Sequence, residues 1–430
     1  MKKRIGLALS GGGFRAAAFH LGTLNKLNEL GILPLVNVIS TISGGSIAGA
    51  YYGLEWNNYG EFSKGLYEKL SSVNVIQDVL MSGRFLIVNL VLVILVVTSA
   101  MFSKVMFILL LVLLVIVAWK WQYRLMPISE IIEASYRRNF FGTATLTDLA
   151  DAPLIAINAT NLQTGRLFTF SRNKMGDSGY VYGSARVIRF KNENFPLARA
   201  VMASSCVPQF FSPVRITREF FIDDADYEAC QPVLVDGGIY DNQGIHKLTQ
   251  PGSSYECDVI ITSDAGNNMP FVGSYNNTFS LLIRTMELFM QRVKFLQMMK
   301  NIYHPSNRAT NKNIAYFSLG WDLENCIAGF VDAIKDGLIK SEILRMHGIP
   351  FEMTANVDRF REEITSLLEI SVGYQEILAK NLTENQRSIA RKVKTNLICL
   401  KNLHLDYLIQ HAENLTELQV RLYLPNLLME

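Results

Sequence analysis

LALSGGGFRAAAFHLG, residues 7–22, runs from an apolar stretch suited to a buried strand into a helix, and three consecutive glycines make the join. Glycine weakens the interior of helices and strands, so a run of it marks a sharp bend or a close approach by another group. A glycine turn that opens a helix presents unpaired backbone N–H groups at the positive end of the helix dipole, where a bound or transient anion is favoured. Arg15 falls in the first turn of that helix, either adding positive potential or standing in solvent.

Outward from the loop the pattern repeats. Ile5–Leu9 reads as a strand, and Phe14–Leu30 as a helix with Phe14, Ala17, Leu21, Leu24 and Leu27 on one face. Gly31 caps this helix and Pro34 prevents its resumption. Val36–Thr41 is a second apolar run, after which Ser43-Gly44-Gly45-Ser46 turns into another helix. Strand, glycine loop, helix, strand, glycine turn, helix predicts an α/β fold with a mainly parallel sheet.

A net charge of +3 with 18% charged residues is too balanced for nucleic-acid binding, and no nucleic-acid partner is expected. The five cysteines, Cys206, Cys230, Cys257, Cys326 and Cys399, lack the paired short spacing of a zinc site. No metal is expected, and the setting reads as reducing and intracellular. The opening MKKRIGLALSGGGFRAAA has the basic start and small residues of a secretory leader. Its apolar core is only about five residues long, so that reading is rejected.

The run Phe85–Trp119 is apolar apart from Lys104. At roughly 20 residues per membrane span it is too long for one upright helix and short for two, which predicts a tight spanning or re-entrant hairpin with Ser103 and Lys104 at its tip. Arg84 before it and Lys120, Arg124, Arg137 and Arg138 after it place both flanks on the cytoplasmic side. Beyond the run, Pro153–Thr160, Arg166–Ser171, Pro232–Val235, Val259–Thr262 and Ile314–Ser318 read as strands and Phe195–Ser205 as a helix. The chain from about Asn277 is mostly helical.

Three motifs carry chemistry. Gly11-Gly12-Gly13-Phe14-Arg15-Ala16 has the form of a dinucleotide fingerprint, but the second strand ends Ile39-Ser40-Thr41, without the acidic residue that would hold a ribose. Ser43, in Thr41-Ile42-Ser43-Gly44-Gly45, sits between strand and helix like the elbow serine of G-x-S-x-G hydrolases; Ser46 is its rival. Asp236 ends a strand before two glycines, where it can act as a base if it reaches the serine. His246, His304, His347, His404 and His411 all follow Asp236, so chain order alone leaves a Ser-Asp-His triad open, whereas His20 reads as a packed or capping residue. The acidic cluster Asp223, Asp224, Asp226 and Glu228 lacks the sixth-position glycine of a calcium loop and reads as solvated.

SGGGFR (residues 10–15), SGGS (43–46), ASSCVPQFFSPV (203–214) and DGGIYDN (236–242), in that order, make the chain similar to the patatin-like phospholipases over most of residues 5–266. The resemblance implies a patatin-like three-layer sandwich with a membrane helical hairpin inserted and a helical C-terminal region. In those terms residues 1–80 and 125–350 form the catalytic domain, 81–124 the hairpin and 351–430 the helical region. It further implies Ser43 as nucleophile, Asp236 as base in a dyad without histidine, and an oxyanion hole at the glycine loop. The Gly12 and Gly13 amides would be its donors, with Gly11 and Arg15 beside them. No cofactor is implied, the substrate is a lipid ester, and the partner is a phospholipid membrane. The expected place is a bacterial inner membrane with the catalytic domain cytoplasmic, and the oligomeric state stays open. Two positions depart from the family pattern: Ala16 and Thr41 both stand where glycines are usual. A receptor or scaffold with an impaired site is the alternative they leave.

Overall fold

Among the described residues nine strands form one sheet, built around a parallel core. The computed structural model describes residues 3–101, 104–183, 187–208, 210–267, 269, 275–303 and 312–428, so Ser103, Gln209 and His304 lie outside the described residues. β1 (Ile5–Leu9), β2 (Val38–Ile42), β3 (Leu154–Asn161), β4 (Arg166–Phe170), β5 (Met175–Gly176), β6 (Val214–Arg215), β7 (Val233–Asp236), β8 (Val259–Asp264) and β9 (Asn313–Ser318) include every strand expected above, with ends shifted by a residue or two. The main path runs β5-β4-β3-β2-β1-β8-β9, in which β3, β2, β1, β8 and β9 are mutually parallel. β4, β5, β6 and β7 add an antiparallel wing.

β1, β2 and β8 are buried along their whole length, as uninterrupted apolar runs in a covered parallel sheet should be. Side chains alternate between two unequal layers. Leu7, Leu9, Ile39 and Ile261 join a large core with α1 (Gly13–Glu29), α2 (Gly44–Glu55) and the C-terminal helix Asn402–Tyr423. Ala8, Val38 and Ile260 meet a thin layer made by Ile245, Leu248, Tyr255 and Cys257. The C-terminal helix lies so close to α1 that a Cβ on Gly22 would strike the Ile409 carbonyl.

α3 (Tyr59–Ser72) and α4 (Val75–Leu80) lead into α5 (Gly83–Ala100) and α6 (Lys104–Leu125), which pack on each other; α7 (Ile128–Tyr136) returns to α4. Most apolar side chains of α5 and α6 are exposed, among them Ile87, Leu90, Val93, Leu109 and Val115. No single helix among the described residues is long and apolar enough to cross a membrane; only 104–117 and 119–141 taken together, bent by 64°, reach that length and composition. The expected membrane hairpin is not shown as such: the insert consists of two apolar helices, the second of them broken near Trp119–Trp121.

Candidate active site

The register of β3 builds the site. β2 runs parallel to β3 until Ile42 faces Asn158, and β7 runs antiparallel to β3 until Asp236 faces Ala159. Two strands approaching from opposite directions thus end at consecutive positions on the same neighbour, so the residue after β2, Ser43, meets the last residue of β7. Ser43 and Asp236 are both buried, at 8% and 7% exposure.

Ser43 is held in an elbow, with φ 50° and ψ −117°, a region L-residues rarely adopt and that stores about 1–3 kcal/mol of strain. The surroundings impose it. A Cβ on Gly44 would strike the Gly13 carbonyl, and one on Gly45 would enter the Leu9 and Ser10 carbonyls. The Gly45 N–H donates to Ser10 O at 3.1 Å, so the two glycine turns lie backbone against backbone. The Ser43 N–H donates to Ser204 Oγ (2.9 Å), which in turn donates to the Asn158 carbonyl (2.6 Å).

Burial drives the Asp236 carboxyl up to about 6, opposed by the Gly238 N–H donated to Oδ1 at 2.7 Å and by hydrogen bonding with the Ser43 hydroxyl. A carboxylate held near neutrality beside a serine hydroxyl suits proton acceptance. Asp241, also buried and raised to about 6, is occupied differently: it accepts the His246 and Gln243 N–H groups and shapes the turn.

The glycine loop divides its amides. The Gly11 N–H donates to the Asn242 carbonyl at 2.9 Å, and the Phe14 N–H to the Asn396 carbonyl at 2.9 Å. Among the described residues no partner is found for the N–H groups of Gly12 (φ 143°) and Gly13 (φ 59°), which open α1 beside Gly44. Gly11 belongs to the loop through packing, since Asn242 Oδ1 and Ser43 Cβ occupy the space a side chain would need. Arg15 is not solvated: its guanidinium donates to Val393 O (3.2 Å), and desolvation lowers its pKa against the pull of Asp264.

The rival readings fall into place as structure. Ser46 is fully buried, its hydroxyl bonded to Thr41 Oγ1 (2.9 Å) and Ser204 Oγ (2.8 Å). Thr41, in place of the first elbow glycine, belongs to this network and is accommodated because Gly49 leaves room for its methyl. Ala16 packs against Gly12. His20 is buried between Ser263 Oγ and Ser10 O and pushed down to about 4, a neutral packed residue. Among the described histidines none bonds to Ser43 or Asp236; His347 and His411 are bound to Leu422 and Leu319 carbonyls. Asp224 and Glu228 pair with Arg218, and no metal-holding cluster exists among the described residues. Asp264 is buried between Lys294 (2.6 Å) and Tyr316, and these partners overcome its burial and keep its pKa low.

Two supports escape sequence reasoning. Ser204 lies inside a motif quoted above, yet only its place at the end of the buried helix Leu197–Ser204 gives it the elbow amide. Asn396, far along the chain, closes over Gly13 and Phe14 with nothing in its neighbourhood to announce it.

The α/β sheet thus brings together an elbow serine, an aspartate at a facing strand end and a glycine loop that opens a helix. The family model described as patatin-like phospholipase matches residues 7–249, more than half of the chain, and the chain belongs to that family, one of lipid acyl hydrolases. Among solved structures it is similar to human GIVD cytosolic phospholipase A2, with TM-score 0.50 and 14% identity over 99% of this chain and 63% of that one. The same enzyme in complex with methyl gamma-linolenyl fluorophosphonate aligns with TM-score 0.47 at 14% identity, covering 99% and 60%. VipD from Legionella pneumophila aligns with TM-score 0.33 at 11% identity over 90% and 82%. The chain spans about 60% of the length of the phospholipase A2 structures. Among curated proteins none matches the sequence.

Proposed function

We propose that this protein is a membrane-anchored hydrolase of phospholipid or lysophospholipid acyl esters, working through a Ser43–Asp236 dyad. Ser43 Oγ attacks the ester carbonyl while Asp236 takes its proton. The Gly12 and Gly13 N–H groups stabilise the oxyanion, each such donor typically worth 10²–10³ in rate. Collapse of the tetrahedral intermediate forms the acyl-serine and breaks the ester bond, and Asp236 returns the proton to the departing alcohol. Water, deprotonated by Asp236, then attacks the acyl-serine; the fatty acid leaves and Ser43 recovers its proton.

One observation carries this reading: β2 and β7 end head to head on β3, which sets the strained serine against a carboxyl poised near pH 6. The exposed apolar side chains of α5 and α6 support an anchor in lipid, with Lys120 and Arg124 at its end suited to an anionic, cytoplasmic face of a bacterial inner membrane. The test is labelling by a serine-reactive phosphonate, with fatty-acid release from phospholipid measured in parallel. Wild type should label and hydrolyse, Ser43→Ala should do neither, and Asp236→Asn should do both far more slowly. Full hydrolysis by Ser43→Ala sinks the proposal. The scaffold alternative gains no support from the two departures, since Thr41 and Ala16 are packed without disturbing Ser43.

A further inference from the structure

The helix Thr278–Asn301 is inside out. Leu281, Leu282, Leu288, Phe289, Phe295 and Leu296 are 50–64% exposed and recur at seven-residue intervals, which lines them up as one apolar strip facing away from the protein. Some of its polar side chains turn inward instead. Lys294 reaches the buried Asp264 at 2.6 Å, and Gln291 donates to the Asn267 carbonyl at 3.4 Å. The ion pair fixes the rotation of the helix, so the apolar strip cannot roll under without stranding a buried carboxylate.

Charge and position indicate what the strip meets. The helix has four basic residues, Arg284, Arg292, Lys294 and Lys300, against Glu287; Arg292 is exposed within the strip, between Leu288 and Phe295 on the helix face, and Lys300 is exposed at its end. At its start Phe279 meets the exposed Phe210 at 6.5 Å. Two residues on, Ser212 holds Ser129, at the foot of the α5–α6 pair. The helix also packs on Gly238–Asp241, directly after Asp236. Contacts thus run from this helix to the segment that holds the foot of the hairpin and to the turn that follows Asp236.

We propose that Thr278–Asn301 lies flat on an anionic lipid surface, its strip in the boundary between headgroups and acyl chains and Arg292 and Lys300 at the phosphates. An amphipathic helix with exposed leucine and phenylalanine on one side and basic residues flanking them binds membranes in this way. The inference rests on the hydrolase reading only in its consequence, that the surface supplying substrate is held beside Ser43.

The full chain in vesicles of phosphatidylglycerol and phosphatidylcholine with brominated acyl chains provides the test. Phe289→Trp and Phe295→Trp each add a tryptophan to the strip, and Ile370→Trp adds one at an exposed position on another helix. Against the four native tryptophans, brominated lipid is expected to quench the added emission of the first two variants and leave the third open to aqueous iodide. Strip tryptophans that stay open to iodide and untouched by brominated lipid overturn the proposal. So does protection from both quenchers accompanied by a crosslinked dimer, which makes a second copy the occupant. Lipid quenching in a chain whose Ser43 neither labels nor hydrolyses supports the docking surface and removes the hydrolase reading alone.

Discussion

Around the elbow, Ser10, His20, Thr41, Ser46, Asn158, Ser204, Asp236 and Asp264 are buried, whereas along α5, α6 and Thr278–Asn301 leucines and phenylalanines stand in the open. Each region inverts the ordinary sorting of polar and apolar groups, in opposite senses. Buried polarity is tolerable because hydrogen bonds pair it, as in the chain Thr41–Ser46–Ser204–Asn158. Exposed apolar surface on this scale marks an interface. In the proposed function the contrast separates chemistry, which needs fixed dipoles in a dry site, from delivery, which needs contact with lipid.

The sharpest way to break that contrast is Ser43→Ala. It should lower fatty-acid release from any ester at least about 10⁴-fold, measured as kcat, because no other described group replaces the nucleophile. Asp236→Asn should lower kcat by about 10²–10⁴. The wild-type rate should hold above pH 6 and decline below it, as protonation removes the base, and the variant should lose that limb. Stability follows the opposite course. A buried acid with its pKa raised from the usual value near 4 binds more protons folded than unfolded between about pH 4 and 6, so its contribution falls as pH rises through that window. Asp236→Asn should therefore raise Tm at neutral pH while abolishing most activity.

Gly12→Ala tests the loop, because φ 143° strains any L side chain; kcat should fall about 10²–10³-fold, with phosphonate labelling slowed alike. Ser204→Ala leaves the Ser43 N–H without its acceptor and should lose about 1–3 kcal/mol of stability by denaturant titration, with a smaller loss of rate. The mildest effect on the chemistry is expected from replacing residues 83–125 by a short linker, since α4 and α7 already pack together and Ser135 binds Asp78. Ser43 labelling should persist while membrane association weakens; loss of labelling would mean that chemistry and delivery are not separable.

Legibility in the sequence tracked locality. β1, β2 and the turns at Gly11–Gly13 and Ser43–Ser46 are built from neighbours, so apolar runs and glycines disclosed them. The position of Ser43 at the elbow was also readable, because the turn begins at the first residue after the strand. The division of the loop amides was not, since Asn242 and Asn396 arrive from far along the chain to engage Gly11 and Phe14. The inverted helix escaped notice for a related reason: its stripe of leucines and phenylalanines reads as core until Lys294 is seen to be tied to Asp264.

The sequence by itself determined the strand–glycine–helix units, the residue types able to attack, accept a proton and hold an anion, and the apolar insert, because each depends on bonds and side chains within a few positions. Only the tertiary structure decided that Ser43 meets Asp236, that Gly12 and Gly13 keep their N–H groups free of the partners that engage Gly11 and Phe14, and that Thr278–Asn301 turns its apolar side outward. Those outcomes are set by strand register and by one buried ion pair between distant segments, and such pairings exist only once the sheet has assembled.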